Sequence, residues 1–184
     1  MRDIPGKPTV LLLDATQNIR GWESELTDRC FKAMRRRQVR LSGDGPWRPT
    51  CAEELEGVLS AAGDFNCLFL LAHGRGDDTP PSCDGSSYWS RLLLHPELSE
   101  KLLALCVFQP HDADLSQEVL RPGAWGRIAL APTAEMTARD AIIFFVKFFY
   151  ELDLHSRSSI TGAMAQFAYF KAQRLVKNKM ALRR

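Results

Sequence analysis

Four short runs of nearly unbroken apolar residues constrain this chain most: TVLLLDA at 9–15, CLFLLA at 67–72, LLALCVF at 102–108 and RIALA at 127–131. Continuous apolar runs of this length suit strands covered on both faces, rather than strands with one wet side. Between them the apolar spacing changes to that of amphipathic helices. Trp22, Leu26, Cys30 and Ala33 recur across residues 22–37. Leu55, Val58, Leu59 and Ala62 follow Thr50-Cys51-Ala52-Glu53, which has the spacing of a capping box, and Gly63 stops that helix. Alternating strands and helices predict an open, mostly parallel sheet with helices on its faces, a three-layer α/β/α sandwich, with TVLLLDA in a central place and QVRLS at 38–42 as a short strand.

The remaining segments fit the same plan. A helical segment around Leu92–Leu103 is interrupted by Pro96, and Asp114 opens another helix as its N-cap. Two helices finish the chain. The first runs from about Thr137 through AIIFFVKFFYEL, whose apolar residues wrap so far round that deep burial is expected. The second, from about Ser159 to Asn178, is expected to place Ile160, Met164, Phe167 and Ala168 against the body. With 184 residues, 45% hydrophobic and 25% charged, and with no repeat or linker, residues 1–184 read as one domain.

Net charge is +2, unevenly placed: residues 171–184 carry six cations and no acid, a basic C-terminal helix or tail best explained as a solvated face. No aromatic residues interleave those charges, so direct contact with nucleic acid is not expected. Arg2, Asp3 and Pro5 interrupt any leader-like apolar region, and no run approaches the roughly 20 residues that span a bilayer. The five cysteines are odd in number, scattered and without a CxxC pair, as for thiols of a reducing compartment, and a cytoplasmic protein with no membrane contact is expected. Cys106, His111, Asp112 and Asp114 match no zinc-ligand spacing, so neither a metal nor a cofactor is expected.

In open α/β sheets, reactive groups gather beyond the carboxyl ends of the strands. His73 ends the third strand, and Cys106 lies near the end of the fourth. If those strands are neighbours, about 4.8 Å apart, an imidazole and a thiol project from adjacent ends as a nucleophile and its base. A cysteine with an ordinary pKa of about 8.5 needs such a base at neutral pH. The backbone N–H groups of Gly74 and Cys106 then form a candidate oxyanion hole, each donor typically contributing about 3 kcal/mol to the transition state. No third catalytic member stands out.

Together the segments VLLLDATQN, LLAHGRG, LALC and LRPGAWGRIALAPTAEMTARDAIIFFVKFFYEL, in this order, resemble the caspase-like cysteine peptidases, the clan of caspases, metacaspases and separase, and most of all their CHAT branch. The resemblance covers roughly residues 9–172. It implies a caspase-like fold, His73 as base and acid, Cys106 as nucleophile and peptide bonds as the substrate. It also implies a protein activator or regulatory subunit within a regulated cascade, such as bacterial immune signalling. Where relatives place an acid two residues before the cysteine to receive a basic substrate side chain, this chain has Ala104; Asp14, Asp112 and Asp114 are the candidates for a similar purpose. Val107-Phe108 stand where the family carries small or polar residues, which makes a catalytically inactive interaction or scaffold module of the same fold the alternative.

Overall fold

Thr9–Ala15 forms strand β2, and its two faces explain why the run is apolar throughout. Val10 and Leu12 pack into one core cluster, while Leu11 and Leu13 pack into a second on the other side of the sheet. The computed structural model describes residues 3–15, 22–34, 40–43, 46–49, 52–73, 95–108, 128–132, 137–176 and 180–183. In chain order these comprise β1 (Ile4–Pro5), β2, α1 (Trp22–Met34), β3 (Arg40–Leu41), α2 (Ala52–Ala61) and β4 (Cys67–His73). There follow a 3-10 turn (Pro96–Leu98), β5 (Leu102–Phe108), β6 (Ile128–Pro132), α3 (Ala138–His155), β7 (Ser159–Ile160), α4 (Gly162–Gln173) and β8 (Met180–Arg183). The expected helix at Asp114 and the capping box at Thr50 lie outside the described residues.

The main sheet has the order β3-β2-β4-β5-β6-β8. Four principal strands, β2, β4, β5 and β6, run parallel, short β3 joins them in the same sense, and β8 is antiparallel at the far edge. Phe31 of α1 and the phenylalanines of α3 share the cluster on one face, and Leu55 and Leu59 of α2 share the other. Helices therefore cover both sides of a parallel core, as the alternation of periods predicts. The chain leaves β2 for β3 on one side and returns to β4 on the other, so the strand order reverses between β2 and β4.

Helix α3 holds one layer together. Thr137 caps it, its Oγ1 accepting from the Asp140 N–H at 3.1 Å. Phe144, Phe145, Phe148 and Phe149 are fully buried. Phe69 of β4 lies with ring centroids 4.5 Å from Phe145, 5.9 Å from Phe149 and 6.0 Å from Phe31 of α1. One strand residue thus joins two helices to the centre of the sheet. On the opposite face, α2 closes before Gly63, whose φ of +63° is the left-handed conformation that suits a glycine at a helix end.

The C-terminal part differs from the expected single long helix. Ser159–Ile160 pairs antiparallel with Ile4–Pro5, and α4 starts only at Gly162, where Thr161 Oγ1 accepts from the Met164 N–H. Helix α4 is assigned only to Gln173, and Met180–Arg183 then lines the edge of β6. Leu182 supplies the apolar contact that lets the basic tail end as a strand, packing against the same core as α3. Ile160 and Ala168 are buried and Met164 is partly buried, as expected, but Phe167 is 42% exposed. Ala165, Ala168 and Ala172 take the inward positions because their small side chains let α4 approach α3 closely. Around Pro96 the described helical structure is one 3-10 turn; proline lacks the N–H that a longer helix needs, and β5 already begins at Leu102. Among the described residues no helix is long and apolar enough to cross a membrane.

Candidate functional site at the carboxyl ends of the central strands

The register brings three of the singled-out positions to one region. In β2 and β4, Asp14 pairs with Leu71; in β4 and β5, Leu71 pairs with Cys106 and His73 with Phe108. Asp14, Leu71 and Cys106 therefore form one row across three parallel strands. Position 73 lies on the middle strand, two residues further toward the carboxyl end. With a strand spacing of about 4.8 Å and a rise of about 3.3 Å per residue, its backbone stands about 8 Å from that of Asp14 on one side and of Cys106 on the other. Strand parity puts positions 14, 73 and 106 on the same side of the sheet. The reversal of strand order falls between β2 and β4, the place where open α/β sheets offer a crevice.

Cys106 is 1% exposed and belongs to the cluster that contains Leu12, Phe69 and Leu71. Strand β5 continues for two residues beyond it. The thiol is thus enclosed by the sheet and its covering layer. The backbone of His73 ends β4, but its side chain lies outside the described part of the chain, as do those of Val107 and Phe108. Gly74, Asp112 and Asp114 also lie outside the described residues.

Asp14 is held in a way that the sequence did not signal. The segment after β3 runs beside the end of β2: Trp47 N–H donates to the Leu12 carbonyl at 2.9 Å, and Asp14 N–H donates to the Trp47 carbonyl at 2.8 Å. This places Arg48 next to the buried carboxylate, with Nε 3.2 Å from Oδ2; the carboxylate side chain is 3% exposed and the guanidinium side chain 48%. An ion pair with one buried member orients its carboxylate by a charge-assisted hydrogen bond. Gly43 makes the close approach possible. It has a φ of +82°, and an added Cβ there would fall 2.9 Å from Trp47 Nε1. A glycine-rich loop before a tryptophan and an arginine was visible in GDGPWRP, but nothing in that pattern named Asp14 as its target.

The other described thiols offer less. Burial raises the Cys67 thiol far above its ordinary value, and Lys101 offsets this only in part. Burial also raises Cys30. Cys67 belongs to the same cluster as Cys106 but occupies the amino end of β4, away from the row described above. A cavity of about 530 Å³ lies at those amino ends, lined by Lys7, Asp64, Asn66 and Lys101 among others. It is remote from the carboxyl rim. Comparison of the chain with protein families and with curated proteins finds no match.

Proposed function

We propose that this chain is a caspase-like cysteine endopeptidase in which His73 activates Cys106. The observation that supports this reading is the β4/β5 register, which sets positions 73 and 106 on the same side of neighbouring parallel strands beside the reversal of strand order. In the proposed reaction the imidazole takes the thiol proton, and the thiolate attacks the peptide carbonyl carbon to form a C–S bond. Backbone N–H groups of Gly74 and Cys106 receive the negative oxygen. Collapse breaks the C–N bond as the imidazolium returns its proton to the leaving amine, and water then hydrolyses the acyl-enzyme. No metal or cofactor takes part. The carboxylate that receives a basic substrate side chain is assigned to Asp14, Asp112 or Asp114.

Because Cys106 is enclosed, attack requires local opening of the carboxyl rim, a motion that the free chain makes on its own and that a protein activator would favour. Cleavage of a peptide library and of candidate proteins by the wild type, Cys106→Ala and His73→Ala chains tests the reading. Cleavage confined to the wild type is expected; cleavage retained in either variant would overturn it. The same enclosure favours a second reading, a catalytically inactive interaction module. That reading expects full biological function with Cys106→Ala.

A further inference from the structure

Helix α4 is built inside out. Its inward stripe, Ala165, Ala168 and Ala172, is fully buried, while the large residues Phe167, Phe170, Lys171 and Arg174 follow one another at the i, i+3, i+4, i+7 spacing of a second, outward stripe. Phe170 is 54% exposed and Phe167 42%. Exposed aromatic side chains grouped in this way mark an interaction surface. The group is concave: Phe167, Phe170, Lys171, Gln173 and Arg174 line a cavity of about 460 Å³. One wall is braced by two further contacts, the His155 ring 4.7 Å from that of Phe167 and Lys171 Nζ 5.2 Å from the same ring.

We infer that the outward stripe of α4 binds an acidic segment of a partner protein, which inserts an apolar side chain between Phe167 and Phe170 and sets carboxylates against Lys171 and Arg174. Charge selects this occupant. Residues 156–176 contain Arg157, Lys171 and Arg174 and no acid. A concave aromatic slot suits an anchoring side chain better than a flat lipid surface does. A second copy fits less well: its exposed acids on α2, Glu53, Glu54 and Glu56, surround Leu55 and Leu59, which are buried and cannot serve as anchors. The surface is independent of the proposed peptidase chemistry, so it is tested in the Cys106→Ala chain.

A random peptide library displayed on phage is selected against that chain and counter-selected against the same chain carrying Phe170→Ala and Arg174→Glu. Enriched peptides should share an apolar residue flanked by Asp or Glu. Their synthetic forms should bind at least about tenfold more weakly to the counter-selection chain, as for loss of an anchor residue, and more weakly as salt rises. Circular dichroism and melting temperature should match between the two chains, because both substituted side chains are exposed. The inference is overturned if no peptide is enriched, if enriched peptides lack acids, or if they bind both chains equally. It is also overturned if only anionic phosphatidylserine vesicles bind, or if sedimentation shows self-association that Phe170→Ala removes.

Discussion

Phe69→Ala should cost this protein more than most single substitutions, because its ring is the point where β4, α1 and α3 meet. The side chain is fully buried and touches the rings of Phe31, Phe145 and Phe149. Replacing a buried phenylalanine by alanine removes its transfer energy and leaves a cavity, about 3–5 kcal/mol together. For a domain of this size each kcal/mol lowers the melting temperature by about 2–4 °C, so a fall of ~6–20 °C is expected. Urea denaturation followed by far-ultraviolet circular dichroism measures the loss. A double-mutant cycle with Phe145→Ala isolates the contact itself, and a coupling of about 0.5–1.5 kcal/mol is expected for such an aromatic pair. Phe170→Ala serves as the control, because an exposed ring should change stability by no more than about 0.5 kcal/mol. A loss below about 1 kcal/mol for Phe69→Ala, or a coupling near zero, would refute the packing of α3 on the centre of the sheet.

Two further outcomes follow from polar groups. Burial holds the Asp153 carboxyl above its ordinary value of 3.8, with Lys7 opposing the shift, and Oδ1 is buried without a hydrogen-bond partner among the described residues. A raised native pKa gives stability that is complete below the unfolded value and is lost as pH rises through the native one. Asp153→Asn should therefore stabilise the protein at pH 7, and the gain should shrink as pH falls toward 3.8, in melts recorded across that range. Asn66 fastens the N-terminal segment: Oδ1 accepts from Thr9 N–H at 2.9 Å, and Nδ2 donates to the carbonyls of Pro5 at 2.8 Å and Lys7 at 2.9 Å. Asn66→Ala should cost about 1–3 kcal/mol by stranding these groups and should speed hydrogen exchange at Thr9.

The strands with the greatest burial were the easiest to read. β2 and β5 run over 9–15 and 102–108 as expected, because both of their faces meet a helical layer and most of their positions are therefore apolar. The edge elements were harder. β7 and β1 have two residues each, and their pairing depends on a partner more than 150 positions away in sequence, which no local period reports. β8 was hidden by the cations around it: their run suggested a helix end, but a strand needs only Leu182 on the core side. Phe167 misled for a related reason. Its size suggested core, whereas close helix packing selected the alanines beside it. At the candidate site, the sequence placed His73 at the end of one strand and Cys106 near the end of the next, and the register supplies the adjacency that the sequence could state only as a condition. Neither the depth of Cys106 nor the approach of Arg48 to Asp14 could be read, since both depend on which segments cover the strand ends.

The rate at which iodoacetamide alkylates each thiol of the native protein, resolved by peptide mapping in wild type and His73→Ala, tests the activation of Cys106 most directly. Cys67, held protonated by burial, sets the slow reference, and Cys30 is raised in the same sense. The proposed pairing predicts that Cys106 reacts faster than both and that His73→Ala removes the advantage. Alkylation of Cys106 as slow as that of Cys67, or unchanged by His73→Ala, would contradict it.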